Sequence, residues 1–244
     1  MSDSSASRND RDDSVTSTKQ ILVWDAPVRV FHWLLVVSFV VAYVTGESER
    51  WRLVHVTVGY TTAALVAFRI VWGLIGTRYA RFSSFMRGPA AATSYLTGLA
   101  KGRPARYVGH NPAGGIAIFM LLVMAIAVTF TGWAAYSDIG GAQMEELHEG
   151  TVNAMLALVA LHVLGVVVGS LLHRENLVWA MISGRKPGRI EDGIHRAWRT
   201  VAVALISAVL AFWWLQLHNS PVVVSWATQS GIATKGGLNV GDDD

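Results

Sequence analysis

Five long apolar segments, separated by polar stretches, dominate the hydrophobic pattern of the chain. They cover residues 30–45, 54–75, 114–131, 151–172 and 201–217. Each is close to the roughly 20 residues that an α-helix needs to cross about 30 Å of hydrocarbon. The fifth is apolar on every face, which favours a transmembrane helix over the alternative of an interfacial helix. The pattern predicts an all-α integral membrane protein, a four-helix bundle plus a fifth, C-terminal transmembrane helix.

Composition agrees with a membrane protein and narrows its chemistry. Of the 244 residues, 52% are hydrophobic and 15% are charged, whereas soluble domains carry about 25% charged residues. The chain has no cysteine, which excludes disulfides, cysteine-ligated iron–sulfur clusters, thiol catalysis and covalent c-type haem. A bound metal must therefore be held by His, Met or carboxylate. The net charge of +3 does not indicate nucleic acid, because cytoplasmic loops of membrane proteins collect Lys and Arg.

The loop charges predict the orientation. The loops after the second and fourth spans are rich in basic residues, and the loop after the third is acidic. The basic residues are Arg78, Arg81, Arg87, Lys101, Arg103 and Arg106 in the first case, and Arg174, Arg185, Lys186, Arg189, Arg196 and Arg199 in the second. The positive-inside rule places both basic loops in the cytoplasm. We therefore expect the N-terminus in the cytoplasm and the C-terminus on the opposite side of the membrane.

The same pattern predicts how the chain is divided. Residues 1–20 are polar and lack an apolar stretch, so they are expected to form a disordered cytoplasmic tail. Residues 21–190 are expected to form the four-helix domain, residues 191–217 the fifth helix, and residues 218–244 a periplasmic tail.

Four of the eight histidines lie in or at the ends of spans, where an ionisable residue is expected to be functional. His148 and His162 are 14 positions apart, which on a helix separates them by about 21 Å and keeps them within about 40° of one face. His32 lies near the inner end of its span and His55 near the outer end of the next. The histidines therefore sort by depth into an inner pair, His32 with His162, and an outer pair, His55 with His148.

Two imidazoles that face each other at one depth are the ligands of a six-coordinate b-type haem iron. Zinc would need four tetrahedral ligands, which two separate depths do not supply. Gly59 and Gly165 fall on the ligand faces of their helices, where small residues leave room for a flat macrocycle. Glycines at such positions also serve simply to pack helices. The combined pattern predicts two b-type haems, one at each depth.

Other residues have less specific interpretations. Arg29 and Arg69 lie near the inner face and are candidates for binding haem propionates, although snorkelling explains an isolated Arg equally well. His173 competes as a ligand but is expected at the cytoplasmic interface, where a hydrogen-bonding role fits better. For His110, entry into the third span is a sufficient explanation, because Asn111 can cap that helix.

Several short motifs together carry a resemblance to a known family. They are Arg29-Val-Phe-His32-Trp33, His55-x-x-x-Gly59-Tyr60, Arg69-x-x-Trp72-Gly73, Gly109-His-Asn-Pro112, His148-Glu149, Leu161-His162-Val163 and Arg174-Glu-Asn-Leu-Val-x-Ala-Met181. Over residues 23–186 the chain resembles the bacterial cytochrome b561 family, in particular the branch that contains the cytochrome b subunits of nickel–iron hydrogenases. The resemblance implies a protein of the bacterial inner membrane with a periplasmic C-terminus. It also implies a four-helix bundle with two b haems, whose ligands match His32, His55, His148 and His162.

The resemblance also implies electron transfer between a quinone pool and a redox partner protein, either a hydrogenase-like enzyme or a c-type cytochrome. One alternative is a stand-alone oxidoreductase that acts on a small species such as superoxide, with quinone as the acceptor. Another is a non-redox haem sensor or carrier. A transporter is disfavoured, because the spans lack the paired polar residues at the midplane and the broken helices of that class. Whether the chain is itself an enzyme stays open at this stage.

Overall fold

The computed structural model describes residues 19–103 and 105–218. Within them, two short strands and seven α-helices follow one another, with single 3₁₀ turns at Glu49–Trp51, Phe82–Ser84 and Ile190–Asp192. The strands are β1 (Lys19–Leu22) and β2 (Arg185–Gly188); the helices are α1 (Ala26–Thr45), α2 (Arg52–Ile75), α3 (Pro89–Ala100), α4 (Pro112–Tyr136), α5 (Gly141–His173), α6 (Leu177–Ser183) and α7 (Arg199–His218).

All five predicted spans are helices long and apolar enough to cross a membrane, namely α1, α2 with its preceding turn, α4, α5 and α7. The all-α membrane fold is therefore confirmed. The largest difference in bounds is at α5, which begins at Gly141, ten residues before the predicted start at Thr151. Its 33 residues correspond to about 50 Å. His148 consequently lies well inside a helix rather than at its end.

Side-chain caps determine where two of the spans begin. The Asp25 carboxylate accepts a hydrogen bond of 2.8 Å from the Val28 amide at the start of α1. The Asn111 side chain accepts one of 2.7 Å from the Gly114 amide at the start of α4, as predicted. Each cap satisfies an amide that has no partner within its own helix.

The helices pack as two pairs, α1 with α2 and α4 with α5. The pairs meet mainly through α2 and α4, while α7 packs along α1 and touches α2. Across the described part of the chain, α5 has no comparable packing on α1 or α2. The apolar core of the bundle is formed by Phe31, Leu65, Leu122, Met155 and Val209 together with their neighbours.

A small folded layer covers the end of the bundle that carries the basic loops, which we call the inner end. In this layer β1 pairs antiparallel with β2, from Lys19 opposite Gly188 to Leu22 opposite Arg185. The amides of Val23 and Trp24 both donate to the Gly184 carbonyl, at 2.8 and 3.1 Å.

Two predicted boundaries are wrong. The expected tail over residues 1–20 is too long by two residues, because pairing with β2 draws Lys19 and Gln20 into a strand. His218, expected to open the second tail, is the last residue of α7. The remainder of both predicted tails, residues 1–18 and 219–244, lies outside the described residues.

Candidate functional site

The outer histidines meet across the bundle. The rings of His55 on α2 and His148 on α5 have centroids 6.4 Å apart and planes inclined at 84°. The structure thus brings together the two side chains that depth alone had paired, although α5 does not pack closely along α2.

Each outer imidazole is held by its Nδ1 atom. His55 Nδ1 lies 2.9 Å from the Ala42 carbonyl oxygen on α1. His148 Nδ1 lies 3.1 Å from the Thr131 hydroxyl oxygen on α4. The Thr131 hydroxyl donates to the Ala127 carbonyl at 2.9 Å, so its oxygen can accept the Nδ1 proton of His148. Hydrogen bonding of this kind fixes the tautomer and leaves Nε2 of both rings available to a metal.

The separation of the rings fits an iron atom between them. A metal–imidazole bond is about 2 Å long, so two axial imidazoles place their ring centres roughly 6 Å apart. Within residues 19–103 and 105–218, no cluster of three or more His, Cys, Asp or Glu side chains could hold a metal ion. His55 and His148 would therefore be able to hold a haem iron between them, and the described residues do not offer the four ligands of a tetrahedral zinc site.

Small residues surround these rings. A Cβ atom added at Gly132 would lie 2.8 Å from Cε1 of His148, and one added at Gly46 would lie 3.6 Å from Cε1 of His55. At Gly59 and Gly165, the two predicted macrocycle contacts, an added Cβ would meet no other atom within 4 Å. Both positions could accept a flat group, and their role beside a haem stays a prediction.

The inner histidines are also neighbours. His32 on α1 lies within electrostatic range of His162 on α5. The His32 ring contacts the edge of Trp33, with centroids 5.2 Å apart. Their pairing at one depth and their assignment as iron ligands stay predictions.

The His110 side chain makes contacts that its place just before helix α4 does not explain. Its ring lies between Trp24 and Phe85, with centroid distances of 4.4 and 4.7 Å. Its Nδ1 atom is buried and has no hydrogen-bond partner in the described structure. Burial, reinforced by the positive charges of Arg69 and Lys186, lowers the pKa of His110 to about 3. The ring is therefore neutral at physiological pH, and its environment depends on residues far away in the sequence.

The two predicted propionate-binding arginines have partners within the protein. The Arg69 guanidinium, 3% exposed, donates to the Ala80 carbonyl at 3.0 Å and lies 4.9 Å from the centre of the Phe82 ring. Arg29 donates to the Ile182 carbonyl at 2.6 Å, while its Nε atom is buried without a partner. Arg29 thus retains a hydrogen-bond donor for a further acceptor, whereas the contacts of Arg69 already account for its burial.

Asp25 organises the inner end and was not identified from the sequence as a functional residue. Besides capping α1, its carboxylate accepts hydrogen bonds from Trp72 Nε1 at 3.0 Å and from the Thr77 hydroxyl at 2.6 Å. It also interacts electrostatically with Arg29 and Arg69. The signal available in the sequence was an Asp followed by Ala-Pro, which is typical of a helix start.

The remaining histidines lie away from both pairs. His173 Nε2 lies 3.1 Å from the Tyr95 hydroxyl, in line with the hydrogen-bonding role predicted for it. His195 is exposed, and the His218 ring stacks on Trp214 at 5.1 Å.

Substitution of Gly132 by alanine should displace the outer imidazole, because the new methyl group would overlap His148 Cε1. If His148 binds iron, we expect loss of most of the haem at the outer site, measured as the haem-to-protein ratio of the purified variant. Gly150→Ala is the matched control, since an added Cβ there meets nothing within 4 Å. An equal haem content in the two variants would contradict the assignment of His148.

Comparison with known proteins adds an independent result. A sequence model described as prokaryotic cytochrome b561 matches residues 23–184. The probable Ni/Fe-hydrogenase 1 B-type cytochrome subunit of Escherichia coli K12 is 31% identical over 142 residues, which are 48% of this chain and 60% of that protein. The match thus spans about 60% of the length of this relative.

Two further relatives are matched over more of their length. The probable Ni/Fe-hydrogenase B-type cytochrome subunit of Rhodobacter capsulatus is 24% identical over 76% of this chain and 89% of its own. That of Cupriavidus necator is 25% identical over 69% of this chain and 87% of its own. No solved structure matches the chain. The family match ends before α7, which begins at Arg199.

Proposed function

The chain belongs to the prokaryotic cytochrome b561 family, and on this basis we propose that it binds two b-type haems and relays electrons across the membrane between quinone and a redox partner protein. The observation that carries the proposal is the outer pair of imidazoles, 6.4 Å apart, each with Nδ1 in a hydrogen bond and Nε2 left for iron. Haem, when bound, supplies reversible one-electron chemistry.

The protein's own part is to hold the ligands at two levels. The Ala42 carbonyl orients His55, and Thr131 orients His148. Since His148 and His162 are 14 positions apart on one continuous helix, the two ligand levels are separated by about 21 Å along α5. This separation supports a relay in which one haem serves each half of the membrane.

The redox partner is proposed from the relatives. Those compared above are named as B-type cytochrome subunits of Ni/Fe-hydrogenases. We propose a hydrogenase-like enzyme as the partner on this basis, with a c-type cytochrome as the alternative, and quinone as the membrane-soluble reactant.

The proposed orientation has the inner end of the bundle in the cytoplasm. The loops that connect α2 with α4 and α5 with α7 carry the basic residues and form that end, whereas Asp138 lies at the opposite turn between α4 and α5. The positive-inside rule supports this orientation.

The test is the haem content and redox titration of the protein reconstituted in lipid nanodiscs. We expect two b haems per chain, low-spin spectra, two redox transitions, and reduction of both haems by a prenylated quinol. A high-spin haem that binds carbon monoxide in the resting protein would contradict the relay and favour a sensor or carrier. Rapid reduction by superoxide, without reduction by quinol, would favour the stand-alone oxidoreductase.

A further inference from the structure

The hydrogen bonding of His110, at the inner end of the bundle, is incomplete. Its ring is held between the Trp24 and Phe85 rings, at centroid distances of 4.4 and 4.7 Å. Its Nδ1 atom is buried and has no hydrogen-bond partner among the described residues. Because buried polar atoms in proteins are nearly always paired, an unpaired one requires an explanation such as a bound group. A ring held in place with a free buried nitrogen therefore indicates a binding position for one polar group.

His110 is close to the predicted inner ligands. It lies within electrostatic range of both His32 and His162. Trp24, which contacts the His110 ring, comes two positions before the first residue of α1, whereas His32 lies six positions after that residue, about 9 Å along the helix. His110 therefore lies between His32 and the inner end of the protein.

A second donor without a partner lies beside Trp24. The Arg29 Nε atom is buried and makes no hydrogen bond within the described residues, although the same guanidinium donates to the Ile182 carbonyl. A Cβ atom added at Gly184 would lie 3.1 Å from this Nε atom and 2.6 Å from the Trp24 carbonyl oxygen. Arg29 also precedes His32 by three positions on α1, so the two are neighbours on one face of that helix. Two free donors thus lie near Trp24, on the inner side of His32.

The charges around these donors favour an anion. In the described part of the chain, electrostatic contacts connect four cationic side chains here with two carboxylates, namely Arg29, Arg69, Lys186 and Arg199 with Asp25 and Glu175. Arg69 and Lys186 are buried, where an uncompensated charge is costly. The excess of positive charge suits a ligand that carries carboxylates. A neutral quinone headgroup would leave this charge uncompensated.

We propose that His110 Nδ1 and Arg29 Nε bind the propionate carboxylates of the inner haem. This inference rests on the proposed function, and it adds His110 as a residue that binds the cofactor. The neutral imidazole carries its proton on Nδ1 in this role and donates it in a hydrogen bond. Hydrogen bonds to a carboxylate are among the stronger ones in proteins. His110 therefore contributes to the orientation and to the redox potential of the inner haem.

The decisive experiment compares His110→Phe with His110→Asn in nanodiscs. Phenylalanine keeps a ring between Trp24 and Phe85 and removes the donor. Asparagine loses the ring and retains an N–H donor near the position of Nδ1. Two quantities are measured, the propionate bending band in the resonance Raman spectrum and the midpoint potential of the inner haem. The signals of the inner haem are those that are absent from His162→Ala.

We expect His110→Phe to bind two haems and to show a shifted propionate band. The midpoint potential of its inner haem should be lower than in the wild type, because a less compensated carboxylate favours ferric iron. His110→Asn should recover most of both shifts, and the outer haem should be unchanged in the two variants. His195→Phe is the control, since it replaces an exposed histidine at the same end, and it should match the wild type.

Other results would overturn the inference in distinct ways. If His110→Phe changes neither the propionate band nor the potential, Nδ1 does not bind a propionate, while two haems in the wild type still support the proposed function. If the Phe and Asn variants show equal changes, the ring packing matters and the donor does not. If His110→Phe changes neither signal but slows reduction by a prenylated quinol at least tenfold, the site binds the quinone headgroup. If the wild type binds no haem, the proposed function itself fails.

Should His110→Phe fail to fold, Arg29→Lys provides an independent test of the same site. Lysine keeps the positive charge and a donor for the Ile182 carbonyl, but it lacks the Nε atom. We expect a shifted propionate band of the inner haem in this variant as well. An unchanged band would overturn the inference.

Discussion

Replacement of His162 by alanine is expected to remove the inner haem and to leave part of the outer one. If His32 and His162 together hold the inner haem iron, the variant keeps only one of the two imidazoles that a six-coordinate b haem requires. The haem-to-protein ratio should fall from two to about one or below, with loss of one of the two transitions in a redox titration. The outer pair, about 21 Å away along the helix, keeps its hydrogen bonds to Ala42 and Thr131.

His173→Ala is the control for this change, because it removes an imidazole from the same helix, 11 residues further on. His173 is hydrogen-bonded to Tyr95, so this variant should retain both haems. Retention of both haems with bis-imidazole spectra in His162→Ala would overturn the pairing of His32 with His162.

The second large effect is expected at Asp25, where alanine should strongly destabilise the inner end of the bundle. The change removes the α1 cap and leaves the Trp72 indole and the Thr77 hydroxyl without their acceptor. It also removes a carboxylate that interacts electrostatically with the buried Arg69. Each buried donor left without its acceptor costs about 1–3 kcal/mol, so the two donors and the lost cap together cost several kcal/mol. The free energy of unfolding should fall by about this amount in an SDS titration followed by circular dichroism.

Asp192→Ala is the matched control, since the Asp192 carboxylate pairs at 3.9 Å with an exposed Arg78 side chain. Exposed pairs contribute about 0–1 kcal/mol, so this variant should unfold almost as the wild type does. Equal losses of stability in the two variants would refute the central role of Asp25. Asp25→Asn, which keeps an acceptor for the cap, should fall between them.

The length of the five apolar segments was sufficient to predict the five spans, because a membrane requires long apolar helices whose backbone bonds are satisfied internally. The depth of each histidine along its helix was sufficient to predict that His55 and His148 meet, because the rise per residue converts sequence position into height. Both arguments use only regular geometry. Neither depends on which side chains meet in loops.

The residues that support the site could not be found in this way. Thr131 and Gly132 orient and accommodate the His148 ring from α4, and nothing in their local sequence reveals that contact. The surroundings of His110 combine Trp24 and Phe85 from two other segments. The β1–β2 pair was missed because its strands have four residues each and one of them contains Pro187, which departs from the usual composition of strands.

The pairing of β1 with β2 has a consequence for biosynthesis. Lys19 and its partner Gly188 are 169 positions apart in the sequence. At a synthesis rate of about 5–20 residues per second, the first strand is made roughly 10 to 30 s before the second. Four of the five membrane helices are complete by then. β1 therefore has no strand partner until β2 has been synthesised, late in translation. We expect this sheet to form in one of the last steps of folding.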